Sequence, residues 1–217
     1  MEARHRALAE IALAAAGSYG LALAGGYAVR AHGMGSRPSG DVDLFTDWQR
    51  RADFPDAVDT VIAALEERGY AVSVVTREET FARLLAGAPG DGAGVEPEKV
   101  ELSADWRAHP PVMLAVGPVL HPDDAVANKM CALYGRALPR DFLDVDAAVV
   151  SGRYSREQLL DLAANADTGF DSVIFAHALG ALAQITDAAF ADYDISPEDI
   201  TELRHRFAQW RSELLEA

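Results

Sequence analysis

Leu21-Ala22-Leu23-Ala24-Gly25-Gly26-Tyr27-Ala28-Val29 and, further along, Asp41-Val42-Asp43-Leu44-Phe45-Thr46 are the stretches whose reading decides the fold. In the first, the apolar run Leu21 to Ala24 predicts a short strand. Gly25-Gly26 breaks it, and Tyr27 to His32 reads as a short helix entered directly from the glycines. The second stretch alternates as a strand, with Val42 and Leu44 on one face and Asp41 and Asp43 on the other. Two such carboxylates share a face roughly 6.5–7 Å apart at the backbone. Carboxylates converging in this way suit Mg²⁺, a hard ion that takes oxygen ligands and keeps several waters. Two such ions about 3.5–4 Å apart can activate a hydroxyl and stabilise a leaving pyrophosphate.

Asp-x-Asp by itself is a common pattern, and a solvated strand end explains most examples. Its neighbours add weight here. Backbone N–H groups at a helix start can hold phosphate oxygens, and glycine permits close approach. Arg37-Pro38-Ser39-Gly40 leads straight into the aspartates, with a guanidinium and a hydroxyl beside them. A third acid lies on a later strand, in Lys99-Val100-Glu101-Leu102. Glu101, Ser103 and Asp105 share a face there, so Asp105 competes with Glu101 for the role.

Working outward, residues 3–16 predict an Ala-rich helix and residues 54–68 a second, with Phe54, Val58, Ile62 and Leu65 at helical spacing and Gly69 as the stop. Strands follow at 70–76, about 80–86, about 98–105 and about 112–119, and the glycine-rich segment Gly87 to Gly94 joins two of them. After Pro122 the pattern turns helical, over 123–136, 140–150, 155–165, 170–185 and 197–215. Ser155 with Gln158, and Ser196 with Asp199, supply start signals of the capping-box kind. The expectation is an α+β protein: a mixed sheet with flanking helices over residues 1–120, then a helical region over 121–217 that completes the active-site cleft.

Composition bounds the function. Half of the 217 residues are hydrophobic and 24% are charged, the balance of a soluble globular protein. The net charge of −15 disfavours long-range attraction to nucleic acid, although Arg30, Arg37, Arg50 and Arg51 cluster near the aspartates in sequence. No stretch approaches the roughly 20 apolar residues of a membrane span, and no cleavage signal follows Ile11 to Ala16. A single cysteine, Cys131, excludes an internal disulfide and a cysteine zinc cluster. The expectation is a cytoplasmic protein.

The residues Leu23-Ala24-Gly25-Gly26-Tyr27-Ala28-Val29 and Arg37-x-Ser39-x-Asp41-x-Asp43-Leu44-Phe45-Thr46 resemble the opening of the AbiEii/AbiGii toxin family of nucleotidyltransferases. The likeness resumes in Pro122-Asp123-Asp124-Ala125-Val126-Ala127-Asn128-Lys129-Met130-Cys131-Ala132-Leu133, then in Arg136 and Arg140-Asp141-Phe142-Leu143-Asp144. It covers about residues 20–150. It implies a DNA polymerase β-like nucleotidyltransferase fold using NTP and two Mg²⁺ ions, with Mn²⁺ as a substitute. By resemblance Asp41 and Asp43 are metal ligands, Glu101 completes the cluster, Gly25 and Gly26 meet the triphosphate, and Arg37 and Ser39 line the nucleotide site. Lys129 would bind nucleotide phosphates and Asp144 would be a second catalytic or positioning acid. Members resemble toxins paired with antitoxins or acting in phage defence, and some modify the 3′ end of tRNA. Gly26 stands where the wider superfamily often has serine, and Glu101 where aspartate is more usual.

Plainer readings stand beside these. Lys129 can snorkel from a surface helix, and Asp141 and Asp144 suit the first turn of a helix on electrostatic grounds alone. His32 reads as a structural histidine. His121, His177 and His205 lack metal-ligand spacing, and Cys131 reads as packing. Two rival functions remain: the same chemistry on a protein or an aminoglycoside-like acceptor, and a degenerate member that binds nucleotide or partner without turnover.

Overall fold

A computed structural model describes residues 1–216. The chain divides into two compact units, Met1–Ala31 with Ser39–His121, and His32–Pro38 with the segment from Pro122 onward.

The first unit is built on one sheet. Its strands are β1 (Ala22–Leu23), β2 (Asp41–Asp47), β3 (Ala71–Arg77), β4 (Phe81–Gly87), β5 (Glu98–Asp105), β6 (Val112–Leu114) and β7 (Gly117–Val119). They lie in the order β3-β4-β5-β2-β1-β7-β6. β2 runs parallel to β5 and β1 parallel to β7, whereas β1–β2, β3–β4, β4–β5 and β6–β7 are antiparallel. The segment 112–119, expected as one strand, is two short ones. Ala115-Val116 reverse the chain between them, and Gly117, the first residue of β7, leaves the turn at φ +121, a conformation that favours glycine.

Alternation settles the two faces of the sheet. Val42, Leu44, Ala82, Leu84, Ala86, Val100 and Leu102 are buried, and α1 (Ala3–Ala16) and α3 (Phe54–Glu67) pack on that side. α3 forms because Phe54, Ala57, Val58, Val61 and Leu65 recur at helical spacing along one buried stripe. Pro55 sits in its first turn, where the missing N–H is not needed. Gly69, at φ +84, follows its end. The opposite face carries Asp43, Glu101 and Arg83 in adjacent register. α2 (Gly25–Ala31) starts at Gly25, two residues earlier than its side-chain pattern suggests.

The second unit is helical: α4 (Pro122–Arg136), α5 (Pro139–Val150), α6 (Arg156–Ala166), α7 (Ser172–Gly180) and α8 (Pro197–Glu216). The single helix expected over 170–185 is α7 followed by a 3₁₀ turn at Ala181–Gln184, and a further 3₁₀ segment spans Asp187–Tyr193. Phe142, Phe207, Trp210 and Phe175 in the core of this unit continue through the half-buried Phe170 and Tyr134 as one aromatic chain, with ring centroids 4.9–5.9 Å apart. Ser155 caps α6 reciprocally with Gln158, and Ser196 accepts from the backbone N–H of Asp199. Among the described residues, no single helix is long and apolar enough to cross a membrane.

Candidate active site

Asp41, Asp43 and Glu101 come together on the face of the sheet opposite α1 and α3. One carboxylate oxygen from each lies within 4.8 Å of the others. The register explains the meeting. β2 and β5 are parallel neighbours, with Asp43 directly opposite Glu101 and Asp41 opposite Lys99. Asp105, the competing third acid, pairs instead with Asp47 at the far end of the same strands. Three oxygen donors on two rigid strands fit a hard divalent cation by number and type.

The glycine turn is built around the second aspartate. Gly25 has φ +60, and a Cβ there would fall 1.7 Å from Asp43 Oδ2. Any side chain at position 25 would therefore occupy the space that the carboxylate fills. The backbone N–H of Ala24 also donates to the Asp43 carbonyl at 2.8 Å, fixing the turn to the strand.

Asp41 is held from two sides. Ser39 Oγ donates to its Oδ1 at 3.3 Å, and Lys99 Nζ lies 4.0 Å from Oδ2. Glu101 meets Arg83, whose Nε and Nη2 both reach Oε1 at 2.9 Å. Behind the strand, His5 on α1 is only 3% exposed. Its Nδ1 lies 2.6 Å from the Tyr27 hydroxyl and its Nε2 2.8 Å from Glu98 Oε2. Tyr27 in turn donates to the Ser39 carbonyl at 3.3 Å. Burial raises the pKa of Tyr27, so the phenol keeps the proton that this bond requires. The chain of contacts Glu98–His5–Tyr27–Ser39 thus ends on the residue that contacts Asp41.

A second cluster lies within the helical unit. Asp144, on α5, accepts from Arg37 Nε and Nη2 at 2.6 Å each and pairs with Lys129 Nζ, on α4, at 2.9 Å. Side-chain exposures of 4% for Asp144, 9% for Lys129 and 12% for Arg37 make this a buried triad. Burial would raise the Asp144 pKa, but the Lys129 charge and the Arg37 hydrogen bonds and charge outweigh it, and the carboxyl sits below its usual range. The bidentate Arg37 contact also fixes direction, because a planar guanidinium matches a carboxylate edge to edge. Lys129 is therefore not a snorkelling surface residue. Asp141, by contrast, pairs with Arg136 through both oxygens and, from the third position of α5, accepts from the N–H of its N-cap residue Leu138 at 3.2 Å, a helix-start role.

Arg83, His5 and Tyr27 were not legible as site residues. Arg83 reaches Glu101 only through the antiparallel register of β4 and β5. Lys99 carried a weak signal, standing two residues before Glu101 and so on its face.

A strand pair presenting three carboxylates beside a glycine turn, in a mixed sheet joined to a helical unit, is the arrangement of a nucleotidyltransferase. A family model described as "Nucleotidyl transferase AbiEii toxin, Type IV TA system" matches residues 6–213. The chain belongs to this family of nucleotidyltransferase toxins. No curated protein matches it. Among solved structures it is similar to JHP933 from Helicobacter pylori, at 16% identity over 98% of this chain and 91% of that one, TM-score 0.59. It is also similar to MenT4, a nucleotidyltransferase toxin from Mycobacterium tuberculosis H37Rv, at 16% identity over 96% and 83%, TM-score 0.60. A putative nucleotidyltransferase from H. pylori shares 14% identity over 98% and 96%, TM-score 0.58. At these identities the likenesses establish the fold, and the family match establishes the enzyme class.

Proposed function

We propose that this nucleotidyltransferase moves a nucleoside monophosphate from NTP to an acceptor hydroxyl, that it depends on Mg²⁺, and that the acceptor is tRNA. The observation that carries this reading is the convergence of Asp41, Asp43 and Glu101 within 4.8 Å beside the Gly25 turn. In the reaction the acceptor oxygen attacks the α-phosphorus. One P–O bond forms, the bond to the β-phosphate bridging oxygen breaks, pyrophosphate leaves, and the acceptor proton passes to a base.

Asp41, Asp43 and Glu101 would hold Mg²⁺, whose positive charge would offset the negative charge of the phosphates. Gly25 and Gly26 would let the triphosphate approach the backbone, and Arg37, Ser39 and Lys129 would serve the nucleotide. Asp144 suits a positioning role, since its carboxylate is already committed to Arg37 and Lys129. Catalysis of this kind rests on positioning and charge stabilisation. The toxin family supports the rest of the reading: a cognate antitoxin counters the enzyme's effect in the cell.

The test is incubation of the purified protein with Mg²⁺, each α-labelled NTP and total RNA plus soluble protein. Label entering tRNA, and absent with Asp41→Asn, is the expected result. Label in protein or in a small molecule would move the acceptor, and label in no fraction would overturn the reading. Expression should also arrest growth, and Asp41→Ala should relieve the arrest.

A further inference from the structure

Three carboxylates within 4.8 Å repel one another strongly unless cations stand close by. The first unit supplies two such cations on the same face of the sheet. Arg83 sits opposite Glu101 on the antiparallel β4, and Lys99 sits opposite Asp41 on the parallel β5. Arg83 places Nε and Nη2 on one oxygen of Glu101, at 2.9 Å each. Lys99 Nζ stands 4.0 Å from Asp41 Oδ2.

Their burial separates these pairs from the Arg37–Lys129–Asp144 triad. The side chains of Arg83 and Lys99 are 40% and 39% exposed. A half-exposed cation keeps part of its hydration and can swing into water at little penalty, whereas one buried with its partner cannot. Both cations also lie on long flexible stems from rigid strands, with solvent beside them.

We infer that Arg83 and Lys99 are exchangeable counter-ions of the metal site: they hold the carboxylates together without metal, and an entering divalent ion must displace them. The inference rests on the metal-site reading above. It makes metal affinity a competition between an ion and the protein's own charges. It also gives the two residues a role opposite to that of a structural ion pair. A structural pair should weaken metal binding when removed, because the carboxylates lose their alignment. A competing counter-ion should strengthen it.

Coulomb's law sets the scale. One positive charge about 6 Å from a divalent ion alters its affinity about tenfold even at the dielectric constant of water. Arg83, with two contacts on its carboxylate, should have the full effect, and Lys99, at the limit of ion-pair distance, a smaller one.

The experiment is a Mn²⁺ titration followed by the electron paramagnetic resonance of free Mn²⁺, at low and high ionic strength. It uses the full-length wild type, Arg83→Gln, Lys99→Gln and Asp41→Asn. Arg83→Gln should bind Mn²⁺ about tenfold more tightly than wild type, Lys99→Gln about two- to threefold, and both gains should shrink at high salt. Arg83→Gln should also lower the metal-free melting temperature while enlarging the rise that Mn²⁺ produces, a signature that a misfolded variant cannot give. Wild-type binding that Asp41→Asn abolishes but Arg83→Gln leaves unchanged or weakens would overturn the inference alone. Absence of Mn²⁺ binding in both wild type and Arg83→Gln would overturn the metal-site reading and this inference with it.

Discussion

Replacing Gly25 by alanine adds one carbon, and the geometry says where that carbon goes. It would stand 1.7 Å from Asp43 Oδ2, 2.6 Å from the carboxyl carbon and 2.9 Å from Asp43 Cβ. Real Cβ atoms do not approach within 3.0 Å of their neighbours, so the carboxylate must retreat by more than an ångström. Two effects follow, and they separate in measurement. A non-glycine residue at φ +60 carries roughly 1–2 kcal/mol of backbone strain whatever surrounds it. For a protein of this size that lowers the melting temperature by about 2–8 °C. The displaced carboxylate is the second effect. Metal–ligand distances tolerate about ±0.2 Å, so a shift above an ångström would remove Asp43 from the coordination shell proposed above. Gly25→Ala should then bind Mn²⁺ about as weakly as Asp43→Ala, at least tenfold below wild type. In Gly25→Ala/Asp43→Ala the clash with the carboxylate disappears, leaving the backbone strain and a Cβ–Cβ approach of 2.9 Å, so the two stability losses should be less than additive. Isothermal titration with Mn²⁺ and urea unfolding of the four proteins measure both effects. Gly25→Ala binding Mn²⁺ within a factor of two of wild type, or additive stability losses, would refute the claim that the glycine exists to make room for the aspartate.

Asp144→Asn leaves Lys129 and Arg37 as buried positive charges without a carboxylate, and should destabilise the helical unit by about 3–5 kcal/mol in urea unfolding. The Asp144 carboxyl sits below its usual range when folded, so its stabilisation is fully present above the unfolded value of 3.8 and is lost as pH falls through the depressed folded value. The stability gap between wild type and Asp144→Asn should therefore stay constant from pH 7 down to about 5 and close only below about 4; a gap that closes between pH 7 and 5 would contradict the depressed carboxyl. Tyr27→Phe removes the hydroxyl shared by His5 and Ser39, leaving a buried imidazole nitrogen without its partner, and should destabilise by about 1–3 kcal/mol in the same assay.

Much of the site was legible because it depends on short-range periodicity. Asp41 and Asp43 share a face by strand alternation alone, and a glycine pair after an apolar run marks a turn whatever the rest of the chain does. Elements with strong periodicity or clear stops, such as α3 and β5, stand close to where their side-chain pattern puts them. The departures have local causes. Residues 112–119 are apolar enough for one strand, but the chain turns at Ala115-Val116 and Gly117 takes the positive φ that follows, and a single glycine inside an apolar run does not announce a reversal. The 170–185 segment is apolar apart from Asp171, Ser172, His177 and Gln184, and periodicity does not show that its last turn tightens to 3₁₀.

What no local pattern reveals is register between strands distant in sequence, and the site's electrostatics reside there. From β5 alone Asp105 competes with Glu101 for the role of third acid. The parallel pairing with β2 sets Glu101 beside Asp43 and sends Asp105 to Asp47. The antiparallel pairing with β4 then brings Arg83 onto Glu101, across 18 residues of sequence. The same holds for Arg37 and Asp144, joined at 2.6 Å although 107 residues apart. Net charge misleads for a related reason. A total of −15 suggests a surface hostile to phosphate. Yet Arg83 and Lys99 neutralise carboxylates on the sheet face, while Arg37 and Lys129 bring two positive charges to the single carboxylate of Asp144. Charge balance in each of these clusters is set by its individual pairings, so the metal and nucleotide affinities proposed above have to be argued from them and not from the sum.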